Sequence, residues 1–322
     1  MPKRLGFAAY SIMVLVGYAL SGAIALSTKG VWVGDCRRPP APGLFISSCS
    51  SAKFGDYEHD AFWFNLETEA VVNLKAADVV FTGSSRTMFA FSTEEVRGYF
   101  AARGLTQFNL GFGFDEQQAF FAALATRFNL HPRVLVIGID PYFVDHVSGP
   151  AAAAMGDWFE RGHGIAKKIQ IELQSTFCRW KLMGCAGVAS AAFRSTSDGY
   201  FVWRDILKPD RESPRTQEPH IRDVQVNVPL AVIAAKEFLD RIGMPAACVV
   251  LVPMPTPLIW LKPDPVKQVA DALGSMYVDA DTGEDLAFVD QTHLSFYSAK
   301  RFSAEFLRRF DQLPQDCLQQ KR

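Results

Sequence analysis

Short runs of consecutive apolar residues alternate with longer amphipathic segments along much of the chain. Two such runs are Val79–Phe81 and Val134–Gly138, and a third predicted strand, the mixed stretch Leu105–Leu110, lies between them; each ends at or close to a glycine. Their length and β-branched content are typical of strands that are buried on both faces. Helical patterns over 93–103 and 115–128 separate them. Strand and helix alternating at this spacing predict right-handed βαβ units and a parallel sheet.

The alternation stops at 148–222 and then resumes. Within 148–222 the apolar residues follow helical spacing, so we predict a mostly helical insertion. An amphipathic helix over 58–74 is expected before the first strand. The elements predicted after the insertion are a helix over 228–242, a strand over 247–252, a helix over 265–273, a strand over 276–278, a loop over 287–295 and a helix over 298–310. The predicted fold is α/β, a three-layer parallel sheet with flanking helices in a body over 57–314, followed by a tail over 315–322.

The N-terminus has a different character. No residue from Leu5 to Leu26 is charged, and Lys3 and Arg4 precede this stretch. As a helix it would be about 33 Å long, close to the ~30 Å core of a bilayer. A cleaved signal sequence and a retained signal anchor both fit, but the run is long for a cleavable segment. We predict a cytoplasmic stub and transmembrane anchor in 1–27, then a linker over 28–56 rich in Gly, Pro and Ser.

Composition and charge exclude some classes of function. The chain has 322 residues, 49% of them hydrophobic and 21% charged, with a formal net charge of -1. Because no long basic run is present, we expect no nucleic-acid partner. A dinucleotide loop at Gly111-Phe112-Gly113 is disfavoured because Glu116 stands where the third glycine is needed. No spacing typical of a zinc site or phosphate loop is present, so no cofactor or metal is predicted.

The six cysteines bear on the compartment. Cys36 and Cys49 flank a Pro-rich segment and would form a disulfide in an oxidising compartment. Cys178 and Cys185 are a second candidate pair, but on one helix they would be about 10 Å apart, so a turn must separate them. We interpret Cys248, in an apolar strand, as a buried thiol. Cys317 lies in the polar tail.

Two short motifs carry candidate chemistry. Gly83-Ser84-Ser85-Arg86 follows the first strand of the body, at the sheet edge where open α/β folds bind ligands. Asp290-Gln291-Thr292-His293 precedes the last helix, and its spacing lets the carboxylate orient the imidazole. A serine nucleophile needs such a base. The alternative is that the serines are helix caps, and that Asp290 is a cap and His293 a surface imidazole.

These motifs together resemble the SGNH (GDSL-type) hydrolase family. Its first block, Gly-Asp-Ser, is similar to Gly83-Ser84-Ser85, which implies Ser85 as the nucleophile. The resemblance at Asn109-Leu110-Gly111 implies that Gly111 lends its N–H to the oxyanion hole, and the last block gives Asp290 and His293. The implied fold is the flavodoxin-like SGNH sheet, and the implied activity is ester hydrolysis or acyl transfer.

One block of this family pattern is different. The family's third block, Gly-x-Asn-Asp, supplies an Asn donor to the oxyanion, but this chain has Gly138-Ile139-Asp140-Pro141. An ionised Asp140 accepts hydrogen bonds and repels a developing oxyanion. Three outcomes are open: a differently built hole, an Asp140 that pairs elsewhere, or reduced or redirected activity. Arg86, beside the predicted nucleophile, is the candidate partner for Asp140.

The anchor and the Gly-Ser-Ser-Arg turn resemble a membrane-anchored branch of this family that modifies bacterial cell-envelope polysaccharides. This resemblance implies an inner-membrane protein with one membrane pass and a periplasmic catalytic domain. It also implies an O-acyl, in particular O-acetyl, glycan ester as substrate and a membrane-bound O-acyltransferase as partner. Two alternatives stay open: an inactive protein that kept the fold and binds glycan or a membrane partner, and a lipid-active esterase at the membrane surface.

Overall fold

The protein is described by a computed structural model. It covers residues 11–17, 20, 36–51, 54–114, 116–140, 142–144, 146–156, 158–180, 189–202, 213–214, 227–255, 263–281, 286–290, 292–314 and 316–319.

Only part of the predicted anchor falls in these ranges. Residues 11–17 and 20 are helical, and the rest of the segment lies outside the described residues. Within the described part of the chain, no helix has both the length and the apolar character needed to cross a membrane. The predicted Cys178–Cys185 pair also lies outside the residues whose side chains are described.

Strands and helices are numbered separately in chain order. The strands are β1 (Leu44–Cys49), β2 (Gly55–Asp56), β3 (Val79–Gly83), β4 (Gln107–Gly111), β5 (Val134–Ile139), β6 (Ala191–Ser195), β7 (Phe201–Val202), β8 (Ser213–Pro214), β9 (Val249–Pro253), β10 (Met276–Tyr277) and β11 (Ala287–Phe288). The helices are α1 (Glu58–Trp63), α2 (Thr68–Ala76), α3 (Ser85–Phe91), α4 (Glu94–Ala102), α5 (Gln118–Phe128), α6 (Gly149–Gly156), α7 (Trp158–Arg179), α8 (Val228–Ile242), α9 (Pro263–Leu273), α10 (Phe296–Phe310) and α11 (Asp316–Gln319).

A five-stranded parallel sheet is the centre of the fold and confirms the α/β prediction. Its order is β10-β9-β5-β3-β4, which in the chain order of these five strands is 2-1-3-4-5 from the β4 edge. All residues of β3, β4, β5 and β9 are buried. The composition of β3, β5 and β9 is almost wholly apolar, as burial on both faces requires, while β4 also buries Gln107 and Asn109. Helices pack beside this sheet in two groups, α3 and α4 with α10, and α5 and α9 with α8. In this order the switch point for ligand binding lies between β3 and β5.

The predicted linker over 28–56 is partly wrong, because it contains β1 and β2. Both strands join β6 and β7 in a second, antiparallel sheet of order β2-β1-β6-β7. The prediction of a mostly helical insertion is correct for α6 and α7 and wrong for β6 and β7. The partners β1 and β6 are far apart in sequence, so neither segment shows a strand pattern that stands out locally. The helix expected over 58–74 is two helices, separated at Asn65, whose φ is 55°.

Two disulfides fasten the ends of the body. Cys36–Cys49 forms as the sequence suggested. The prediction that Cys248 is a buried thiol is wrong, because it is bonded to Cys317. The tail expected to be free from 315 onwards instead folds back as α11, and Arg133 donates a 3.0 Å hydrogen bond to the Leu318 carbonyl. A link across 69 residues leaves no local pattern by which it could be predicted.

We expect the Cys248–Cys317 link to contribute to stability chiefly by restricting the unfolded chain. A cross-link over a loop of this length is worth about 2–4 kcal/mol. The double variant Cys248→Ser/Cys317→Ser should lower the free energy of unfolding by that amount in urea titrations. As a control, mass spectrometry of the variant should show that Cys36–Cys49 is still formed, so that the loss is due to the second link alone. An unchanged urea midpoint in the double variant would contradict the expectation.

Buried charges join the second sheet to the end of β4. Arg194, on β6, is fully buried and lies 2.9 Å from Glu58 Oε2. It also donates to the backbone carbonyls of Asn109 and Gly111, at 2.5 and 2.9 Å. Because an unpaired guanidinium in the interior is costly, these contacts fix the position of the end of β4 relative to β6.

His59 belongs to the same polar region. Its side chain is fully buried, with Nδ1 3.1 Å from Asp56 and Nε2 3.5 Å from Glu116. Burial alone lowers the pKa of His59, but the two carboxylates outweigh it and raise the pKa to about 10. The folded protein therefore holds this histidine as an imidazolium at neutral pH.

This pKa predicts a pH dependence of stability with a definite sign. The pKa of His59 in the folded protein is above its unfolded value of about 6.5. The charged ring therefore makes its full contribution to the free energy of unfolding below pH 6.5, and this contribution is lost as pH rises towards 10. His59→Gln should lower the free energy of unfolding by a few kcal/mol near pH 6, since one pKa unit equals about 1.4 kcal/mol. The deficit should shrink by pH 10. Urea titrations over this range check it, with His131→Gln at an exposed position as control, and a deficit that does not vary with pH would refute it.

Candidate active site

Ser85 is held at the edge of the sheet by a tight turn after β3. Gly83 has a φ of 148°, and a Cβ there would lie 2.9 Å from the Gly138 carbonyl oxygen. Glycine is therefore needed for the chain to turn here. Ser84 is the N-cap of α3, its Oγ accepting from the Arg86 N–H at 3.2 Å. The capping alternative is thus correct for Ser84, while Ser85 is the first residue of the helix and is partly exposed.

His293 and Asp290 reach Ser85 from the loop before α10. Asp290 Oδ1 accepts the backbone N–H groups of Thr292 and His293, each at 2.7 Å, which fixes the turn. Asp290 Oδ2 lies 2.7 Å from His293 Nδ1, and His293 Nε2 lies 2.7 Å from Ser85 Oγ. The structure therefore brings together the three side chains predicted from the sequence, in the order Ser85, His293, Asp290.

The electrostatics of Asp290 favour an ionised carboxylate. Partial burial acts to raise the pKa of Asp290, but the hydrogen bond and charge of His293 and the backbone N–H donors outweigh it and hold the pKa well below its usual value. An ionised Asp290 accepts a hydrogen bond from Nδ1–H of the ring, which keeps its own proton. Nε2 then carries the lone pair that faces Ser85, as a general base requires.

Phe89 supports the imidazole and was missed by the sequence reasoning. Its ring stacks on His293 with centroids 4.3 Å apart and an interplanar angle of 25°. Phe89 lies four residues after Ser85 on α3, so both side chains project from one face of this helix. Phe201 of β7 lies behind Phe89, with ring centroids 5.1 Å apart. The four-residue spacing between Ser85 and Phe89 is the feature of the sequence from which the position of Phe89 beside the site could have been predicted.

Asp140 is paired with Arg86, as we hypothesised from the sequence. The Arg86 guanidinium forms an ion pair with Asp140 Oδ1, and both side chains are buried. Ser84 Oγ donates to Asp140 Oδ2 at 2.9 Å. The sequence left three explanations open for Asp140 in place of the family's Asn, and the structure shows the one in which Asp140 pairs with another residue. Its charge holds the turn after β3 against the end of β5.

Gly111 does not have the role expected of it, which was to donate its N–H to an oxyanion. Its N–H donates to Asn109 Oδ1 at 3.1 Å, so in this conformation it is engaged within its own strand. A Cβ on Gly111 would lie 2.7 Å from the Met88 nitrogen. The glycine is therefore needed for the close approach of α3 to the end of β4, and its N–H is not presented to an oxyanion.

Among the residues that the structure describes, two groups of side chains have donor atoms close enough to hold a metal ion. They are Asp56 with Glu58 and His59, and Asp60 with Glu160 and His163. Each group already faces a buried cation, since Arg194 pairs with Glu58 and Lys167 Nζ lies 3.7 Å from Asp60. These cations repel a divalent ion, so neither donor set fits one well.

Comparison of the chain with protein-family models gives no match, and comparison with curated proteins and with solved structures gives none either.

The Arg86–Asp140 pair predicts a matched set of stability effects. Arg86→Met leaves a buried carboxylate without its counterion, which lowers the free energy of unfolding by about 3–5 kcal/mol. Adding Asp140→Asn to this variant removes the uncompensated charge and should recover much of the loss, and urea titrations of the single and double variants measure both changes. A double variant that is less stable than Arg86→Met would contradict the pairing as the cause.

Proposed function

We propose that this chain is a serine-dependent acyltransferase or ester hydrolase. The observation that carries the proposal is the continuous contact from Ser85 through His293 to Asp290, with both hydrogen bonds at 2.7 Å. The 2-1-3-4-5 sheet order and the position of Ser85 after β3 support a relationship to SGNH hydrolases.

The proposed chemistry follows from the positions of these groups. His293 Nε2 takes the proton of Ser85 Oγ as the oxygen attacks an ester carbonyl. The ionised Asp290 stabilises the imidazolium that forms, and the Phe89 ring lies against its face. His293 then gives the proton to the leaving alcohol, and an acyl-Ser85 ester remains. Water or a sugar hydroxyl, deprotonated by His293, then attacks the acyl carbonyl, and the bond between the acyl carbon and Ser85 Oγ breaks as Oγ takes the proton back from His293.

The developing oxyanion needs donors, and Ser85 itself supplies one. As a first-turn residue of α3, its N–H has no acceptor within the helix. Because the N–H of Gly111 is engaged with Asn109, a second donor requires a change at the end of β4 or a group from the substrate. We therefore propose a single preformed N–H at this position, with slower acyl transfer than a complete oxyanion hole would give.

The substrate class and setting are proposed from the resemblance to the membrane-anchored branch. The substrate is an O-acyl ester, in particular O-acetyl, of a cell-envelope glycan, and a membrane-bound O-acyltransferase is the proposed partner. The apolar segment over 5–26 anchors the protein in the bacterial inner membrane with its catalytic domain in the periplasm. The two disulfides support an oxidising compartment.

A second candidate function is a non-catalytic envelope protein that binds glycan or a membrane partner. The engaged N–H of Gly111 favours it, because this donor is lost to an oxyanion. The carboxylate of Asp140, which is paired with Arg86, also offers no N–H donor in place of the family's Asn. The two functions differ in whether Ser85 is chemically activated.

Labelling of the full-length protein with a fluorophosphonate probe tests the proposal. The probe forms a covalent bond with an activated serine, so the wild type should be labelled at Ser85, as located by peptide mass spectrometry. Ser85→Ala and His293→Ala should lose the label, because one lacks the nucleophile and the other its base.

The neighbouring serine gives a matched control. Ser84→Ala removes a helix cap at a cost of about 1 kcal/mol and should keep the label. Circular dichroism of each variant shows whether it is folded. A folded wild type that takes no label would favour the binding function instead.

A further inference from the structure

Helix α7 has its polar and apolar faces reversed relative to a helix on the surface of a soluble domain. The side that faces the body carries polar residues at helical spacing: Glu160, His163, Lys167, Gln170 and Gln174. Lys167 and Gln174 are buried. A surface helix normally buries its apolar stripe and exposes its polar one.

Specific contacts hold the polar side against the body. Lys167 donates to the Asp56 carbonyl and Lys168 lies 2.8 Å from Glu67 Oε1. A Cβ on Gly164 would lie 3.0 Å from the Asp60 Cβ, so the two backbones approach closely on this side. The orientation of α7 is therefore set by its polar contacts with α1 and its neighbours.

The opposite side presents an apolar stripe to the exterior. Ile165, Ile169, Leu173 and Trp180 recur at spacings of four, four and seven residues, with exposed fractions of 38%, 44%, 50% and 65%. Ile165, Ile169 and Leu173 share one face of the helix, and Trp180 directly follows its last residue. An exposed, contiguous apolar surface of this kind marks an interaction site.

The stripe lies next to the point where the chain enters the body. Arg38 donates to the Gln174 carbonyl at 3.3 Å, and Cys36 is bonded to Cys49 and paired with Ala189. Only residues 27–35 separate Cys36 from the apolar segment over 5–26. Ten Cα–Cα steps join Leu26 to Cys36 and span at most about 35 Å, so a membrane that holds this segment is within that distance of Cys36.

Charge and composition fit a bilayer surface. Arg37 and Arg161 are exposed at the two ends of this region, where anionic headgroups would meet them. Glu172, exposed beside the stripe, is 3.7 Å from Lys168. Trp180 at the end of the stripe is the residue type that favours the membrane interface.

We propose that α7 lies along the membrane surface as an interfacial helix, with Ile165, Ile169, Leu173 and Trp180 in the headgroup and acyl boundary. With 22 residues it is about 33 Å long, and its polar side stays on the body. The proposal rests on the proposed anchorage of the chain and is independent of the catalytic role of Ser85.

Site-specific photocrosslinking of the full-length protein tests this placement. The protein is reconstituted in nanodiscs of phosphatidylethanolamine and phosphatidylglycerol, with p-benzoylphenylalanine at position 169, 15 or 233 in separate preparations. Leu15 reports on the anchor, and Ile233 is a similarly exposed apolar residue on α8. After irradiation, intact mass spectrometry should show the addition of one phospholipid at positions 15 and 169 and none at 233.

The other occupants of the stripe give different products. A dimer adduct at 169 doubles the protein mass, whereas an internal crosslink to 181–188 or 203–226 leaves the intact mass unchanged and is found by mass spectrometry of tryptic peptides. Either product would overturn the proposal. Lipid addition at 15 without any at 169 would overturn it and leave the anchorage intact. No lipid addition at 15 would overturn the anchorage and this inference together, while labelling of Ser85 would be unaffected. Equal addition at 169 and 233 would show non-specific lipid contact and also overturn it.

Discussion

The carboxylate of Asp140 stands at the buried end of β5 and must be neutralised where it lies. Arg86 supplies the charge and Ser84 a further hydrogen bond, so the turn after β3 is tied to the neighbouring strand. This turn sets the start of α3, and α3 carries both Ser85 and Phe89. The position of the candidate nucleophile therefore depends on the Arg86–Asp140 ion pair. Removing either partner would destabilise the fold, because the other charge would be buried without compensation.

The sequence predicted the central sheet well and its surroundings less well. β3, β5 and β9 are almost wholly apolar, and burial on both faces makes such runs visible locally. β4 also carries the polar residues Gln107 and Asn109. β1 and β6 are mixed in composition and paired across a long stretch of chain, so no local pattern identifies them. The Cys248–Cys317 bond was missed for the same reason, since it depends on where α11 lies and not on any residue near Cys248.

The same division applies to the candidate site. Ser85, Asp290 and His293 were predicted because each sits in a short motif with its own spacing, and the Arg86–Asp140 pair because an unpaired anion at that edge would be costly. The sequence predicted that Gly111 donates a hydrogen bond to the oxyanion. In the structure a glycine is needed there for steric reasons, because α3 passes so close to the end of β4 that no Cβ fits. Whether a backbone N–H is free depends on a neighbouring side chain, here Asn109, and the sequence does not show that.

The second sheet, whose strands the sequence did not predict, connects the region beside α7 with the candidate site. β1 begins shortly after Cys36, where the chain enters the body, and pairs with β6. β6 carries Arg194, which holds the carbonyls of Asn109 and Gly111 at the end of β4. β7 carries Phe201, which lies behind the ring that stacks on His293. The second sheet thus reaches from the entry point beside α7 to the candidate site. The buried Arg194 fixes its position relative to the central sheet, since the guanidinium pairs with Glu58 of α1 and donates to the end of β4. The site therefore has a defined orientation relative to the face of α7.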